Sequence, residues 1–122
     1  MRIRIKRAFE DATPSDGTRV LIDRLWPRGI SKERAAIDLW AKECSPSNEL
    51  RKWYRHDVEK WPEFKRRYYA ELEDQAEGVA AVLAAVKGST LTLVFSSKEL
   101  EWNNARAFKE YLEARSKRRK KA

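Results

Sequence analysis

The 122-residue chain is long enough for one buried core and too short for two. Hydrophobic residues make up 42%, with five Trp, four Tyr and four Phe, which excludes a disordered chain although 38% of residues are charged. The net charge of +8 is largely local: Arg115, Lys117, Arg118, Arg119, Lys120 and Lys121 supply six of it, leaving +2 for the rest of the chain.

Residues 2–8 alternate, with Ile3 and Ile5 against Arg2, Arg4 and Lys6, which predicts an edge or half-exposed strand rather than a signal-peptide core. Residues 11–18 read as a loop by composition. Val20 to Asp23 predicts a buried strand, and Ser31 caps a short helix over 32–36. Residues 37–41 fit two patterns. Ile37, Leu39 and Ala41 alternate as in a strand, while Ala35, Ala36, Leu39 and Trp40 also suit a helix; the strand is preferred. Ser45-Pro46-Ser47 opens a helix running to about Tyr54. Pro62 marks the start of a longer helix, with Trp61, Phe64, Tyr68 and Leu72 on one stripe. Val79 to Lys87, rich in Ala and Val nearly all round, predicts a buried helix stopped by Gly88. Thr90 to Ser96 is a second buried strand. The last helix spans about 100–115 and buries Leu100, Ala105, Phe108, Tyr111 and Leu112.

Strands separated by helices predict an α/β fold: a small, mostly parallel sheet flanked by helices in a single domain, 1–114, followed by a basic C-terminal tail, 115–122. No run approaches the roughly 20 apolar residues of a membrane span. A lone Cys44 cannot form an internal disulfide, so a cytoplasmic setting is expected.

Both predicted buried strands end in polar sequence, and in a parallel sheet such ends share one edge, where ligands of α/β proteins collect. The first leads into Asp23-Arg24-Leu25-Trp26-Pro27-Arg28-Gly29. Two guanidiniums around a Pro-Gly turn fit an anion pocket, gripping phosphate or carboxylate with Asp23 as the orienting group. The alternative is an internal salt bridge that fixes the junction while Trp26 plugs the core. The second strand leads into Ser96, Ser97, Lys98 and Glu99, with Asn103 and Asn104 beyond. These could cradle an oxyanion or phosphate, or serve only as helix capping. Arg51 could complete the pocket. The ligand-binding set is therefore Arg24, Arg28, Arg51, Ser96, Lys98, Asn103 and Asn104, for a small anion or nucleotide-like ligand. If the protein is an enzyme, Asp23 and Glu99 are the candidate general bases, acting beside electrostatic stabilisation of developing charge.

Asp23 to Gly29, Ser45 to Trp53, Trp61 to Leu72 and Leu91 to Asn104 occur in the same order in the YeaO-like proteins, a bacterial domain-of-unknown-function family that the chain resembles. The resemblance covers nearly everything before the tail. It implies an α/β fold and a small soluble bacterial protein, and it implies no activity. Broader relatives carry cysteine and histidine beside the last strand. Here Ser96 to Asn104 contains neither, so the resemblance transfers no thiol or imidazole chemistry to this site.

The rival function is nucleic-acid binding. Arg51, Lys52, Trp53, Tyr54, Arg55 and His56, then Lys65 to Tyr69, interleave cations with aromatics that could stack bases, although the same spacing suits a helix packing on a core. The tail would add nonspecific, salt-sensitive attraction to nucleic acid, or be an artefact of purification. A third reading is partner binding through exposed Trp26, Trp40, Trp53, Trp61 or Trp102. Cys44 and His56, single residues of their kinds, are too few for a structural zinc site and read as a buried thiol and a surface imidazole rather than a dyad. Arg24, Arg28 and Lys98 argue against Mg²⁺ on Asp23, Glu99 or Glu101. No metal or cofactor is therefore assigned.

Overall fold

An alternating first segment and two apolar runs organise one sheet. The computed structural model describes residues 1–55 and 57–121, the last four by backbone alone. Strands β1 (Arg2–Arg7), β2 (Thr18–Leu21), β3 (Leu39–Trp40) and β4 (Thr90–Phe95) pair in the order β1-β4-β2-β3, and every pair is parallel. β1 is an edge strand, as its alternation predicts. β2 begins two residues before the predicted strand and ends two before it, because the chain leaves the ladder once the Ile22 N–H has bonded to the Val94 carbonyl.

Helices α1 (Lys32–Ala35), α2 (Asn48–Tyr54), α3 (Trp61–Glu73), α4 (Ala76–Ala85) and α5 (Asn104–Lys121) complete the fold. Register decides which side chains share a face. Ile3, Leu91, Val20 and Leu93 point to one side, where Leu50 and Tyr54 of α2, Phe64, Tyr68 and Leu72 of α3, Val79 and Val82 of α4 and Phe108 of α5 cover them. Each such side chain contributes about 1.5–3 kcal/mol by leaving water. The other face carries a smaller apolar patch of Leu21 and Val94 under Ile30 and Ala35.

A polar cluster shares that second face. Arg4, Thr92 and Arg19 stand in register there, and the turn Pro14–Asp16 folds over them. Asp16 is fully buried and accepts from Arg19 at 2.7 Å, Lys6 at 3.2 Å and the Thr13 N–H at 3.1 Å. The Arg19 guanidinium also donates twice to the Ala35 carbonyl, anchoring α1. Burial alone would raise the Asp16 pKa, but the Thr13 N–H and the Lys6, Thr13 and Arg19 side chains hold it down to about 2. The turn ends on Gly17 with φ +64°, where a Cβ would lie 2.4 Å from the Thr90 carbonyl oxygen, so only glycine lets the chain pass.

Several expectations need correction. Residues 11–18 are not merely a loop, since they hold this buried carboxylate. α4 starts at Ala76 and ends at Ala85, short of Gly88, and only Val79 and Val82 are buried along it, since alanine fits solvent as readily as core. Residues 37–41 hold a strand of only two residues. Leu100 is 63% exposed instead of buried, because α5 begins four residues later. Helix α5 also continues through 115–121, so the basic run extends a helix. Among the described residues no helix is long and apolar enough to cross a membrane.

Candidate functional site

Because β2 and β4 are parallel neighbours, the chain leaves both at one edge, and Asp23 ties the two exits together. One carboxylate oxygen accepts from the Ser96 N–H and hydroxyl, both at 2.7 Å, and the other from the Asn104 amide at 3.1 Å. The same amide donates to the Ile22 carbonyl at 3.0 Å, and Trp40 Nε1 donates to the Asp23 carbonyl at 2.7 Å. One residue thus joins β2, β3, β4 and the start of α5. Its partners are neutral donors, and no described cation pairs with it.

The loop beyond Asp23 is held by Trp26, whose Nε1 donates to the Ile30 carbonyl at 2.7 Å and whose ring meets Trp40 edge-on. Gly29 turns the chain at φ +83° and Ser31 caps α1. Across the edge, Ser47 caps α2 and is pinned through its N–H and hydroxyl to Glu71 of α3. The loop and α2 both line a cleft of about 1050 Å³.

Arg24 and Arg28 from the loop, Arg51 and Lys52 from α2, and Lys98 after β4 all line this cleft. Among the described residues none of the five forms an ion pair, and Arg24 Nε is buried without a hydrogen-bond partner. Two carboxylates line the same space, Asp23 and Glu99. Glu99 accepts from the Glu101 N–H at 3.0 Å and the Trp102 N–H at 3.3 Å, bracing the turn into α5. The cleft is therefore lined mainly by positive charge, with Arg24 half-buried and Arg28, Arg51, Lys52 and Lys98 exposed to solvent. Tyr54, Phe64 and Trp102 add an aromatic wall. Burial, then the charges of Glu99 and Asp57, push the Tyr54 hydroxyl up to about 12, so it stays protonated and donates to the Trp102 carbonyl at 3.0 Å.

The expected site residues divide into two groups. Ser96, Asn103 and Asn104 line the cleft, but their polar atoms are engaged in the fold. The Ser96 proton goes to Asp23, and Asn103 caps α5 by accepting from the Arg106 N–H at 2.9 Å and donating to the Glu99 carbonyl. Asn103 therefore caps α5, while the Asn104 amide ties α5 to Ile22 and Asp23 at the end of β2. The salt bridge weighed for Asp23 with Arg24 or Arg28 does not form. Lys52 was not assigned to the pocket, although its place beside Arg51 on the Ser47-capped helix puts it on the same wall.

In the basic–aromatic block the cations at 65–67 are matched internally, whereas Arg51 and Lys52 line the cleft without ion pairs among the described residues. Lys65 pairs with Glu110, Arg66 and Arg67 pair with Glu63, and Lys60 and Arg67 both lie over the Trp53 ring. Trp61 is buried, and the other four tryptophans are half-buried rather than exposed. Cys44 is fully buried, its carbonyl accepts from the Tyr68 hydroxyl, and burial pushes its thiol up to about 11. His56 lies outside the described residues, as do the side chains of Arg118, Arg119, Lys120 and Lys121. Among the described residues no group of three or more His, Cys, Asp or Glu is placed to hold a metal ion.

Residues 2–122 match the family described as the inactive DUF488-N3 subclade. The chain belongs to that family. It is 40% identical to the uncharacterized protein YeaO of Escherichia coli K12 over 112 residues, covering 92% of this chain and 97% of the relative. The uncharacterized proteins Rv3073c of Mycobacterium tuberculosis and Mb3100c of Mycobacterium bovis are each 39% identical over 114 residues, covering 93% and 96%. The YeaO-like resemblance read from the motifs is thus a family relationship along the whole chain. No solved structure matches it. Among the described residues of this member, no cysteine lines the cleft.

Proposed function

We propose that the protein binds a small, multiply charged anion in the cleft at the carboxyl edge of its sheet, and that it holds this ligand rather than transforming it. One observation carries the reading: five cationic side chains line a single cleft, and none has an ion-pair partner among the described residues. Like charges gathered without counter-charge repel one another, and an anion relieves that repulsion. Arg24 and Arg28 supply planar forks suited to phosphate or carboxylate, while Arg51, Lys52 and Lys98 add charge. The non-catalytic part rests on the described groups that could otherwise act. Both Asp23 oxygens already accept hydrogen bonds that hold strands together, Glu99 braces a turn, and the thiol is buried elsewhere. The family description as inactive agrees with that assignment.

Thermal unfolding at constant ionic strength tests this reading, with sodium chloride replaced stepwise by phosphate or pyrophosphate. Pyrophosphate at 100 times its Kd should stabilise the native protein by about 2.7 kcal/mol, and Arg24→Ala with Arg28→Ala should abolish that gain. An unresponsive parent protein, or a double variant that responds as the parent does, would refute anion binding.

A further inference from the structure

The cleft is not lined by charge alone. Trp102, Tyr54 and Phe64 form one continuous wall: Tyr54 and Phe64 stack at 4.3 Å, and the Tyr54 hydroxyl bonds to the Trp102 backbone. Tyr54 and Phe64 are nearly covered, whereas Trp102 is half-buried, so Trp102 is the most accessible aromatic residue of this wall. Arg106 lies over the Trp102 ring at 4.6 Å and Trp61 meets it edge-on at 5.5 Å, yet neither of these lines the cleft. Trp102 thus packs on Arg106 and Trp61, and the residue also borders the cleft. A purely inorganic anion has no use for such a surface, and desolvating it would gain nothing.

Resting on the anion-binding reading, we propose that the ligand is a nucleoside polyphosphate, with its phosphates among Arg24, Arg28, Arg51 and Lys98 and its base against Trp102. The geometry asks for a ligand with several negative charges at one end and a flat apolar ring at the other. A cleft of about 1050 Å³ accommodates a molecule of that size. Stacking on an aromatic ring is tolerant of base identity, so the aromatic wall selects the class rather than one member of it.

Isothermal titration of the full chain with tripolyphosphate and with each of the four common ribonucleoside triphosphates separates the two readings, since all carry similar charge. At least one triphosphate should bind tenfold or more tightly than tripolyphosphate and quench tryptophan fluorescence. Trp102→Leu should remove that advantage and leave tripolyphosphate affinity within twofold. Trp102→Phe, which keeps a ring, should retain most of the advantage and serves if the leucine variant does not fold. Equal affinity for tripolyphosphate and every nucleotide overturns the nucleotide assignment and leaves anion binding intact. No binding by any of them overturns both.

Discussion

Two charged regions flank this sheet, and they are built on opposite terms. Around Asp16 every cation has found its carboxylate: Lys6 and Arg19 converge on one buried acid, whose pKa is held to about 2. At the carboxyl edge Asp23 accepts from neutral donors, and five cations line the space beside it without an ion-pair partner among the described residues. The first arrangement is complete within the chain and serves the fold. The second is complete only as scaffolding, with charge left over. A charged cluster therefore signals binding by its surplus, not by its size.

Asp16→Asn should break the closed cluster and give the largest effect, a loss of about 3 kcal/mol in denaturant unfolding, since it leaves Arg19 buried without a counter-charge. The acid side tests the same residue. Its folded pKa lies below the ordinary carboxylate value, so the unfolded chain takes up the proton first as pH falls. The stabilisation is therefore full above about pH 5 and lost as pH falls towards 2. The parent protein should lose stability steeply across that window, and the Asn variant should follow a shallower course.

Asp23→Asn should cost less, about 2 kcal/mol, because an amide places a second donor against Ser96 or Asn104 where an acceptor is needed. Loss of the anion response in this variant would follow from parted strand ends, which Asp23 holds at the mouth of the cleft. The smallest effect belongs to the surplus charges. Without added anion, Arg24→Ala with Arg28→Ala should leave stability unchanged or raised by up to about 0.5 kcal/mol, because no described partner is lost. A large loss there would mean that these arginines serve the fold, and the contrast between the two regions would collapse.

The sequence made the cleft more legible than the buried cluster. Apolar runs at 20–23 and 90–96 marked neighbouring strands, and parallel pairing then placed Arg24, Arg28 and Lys98 together without further information. Asp16 lay in Asp-Ala-Thr-Pro-Ser-Asp-Gly-Thr, whose composition belongs equally to a solvated loop. Its one signal was Thr13 three residues ahead of an acid, the spacing of a reciprocal helix-start cap. Asn103 and Asn104 could be read as ligand donors or as caps from their type alone. Only the position of α5 decides, by bringing Arg106 N–H and Asp23 within their reach. The alanines of α4 illustrate another limit: residue type does not reveal which way a helix faces.

The position of β4 between β1 and β2 has a consequence for synthesis. Among the described residues, 2–7 form their strand ladder with 90–95 alone, so the first strand waits for a partner more than eighty residues downstream. On the ribosome β1 has no strand to pair with, and β2 lacks one of its two neighbours, until residues 90–95 have been made. Closure so distant in sequence is slow, and the half-made protein has open hydrogen-bonding edges on which a chaperone, or another nascent chain, can act first.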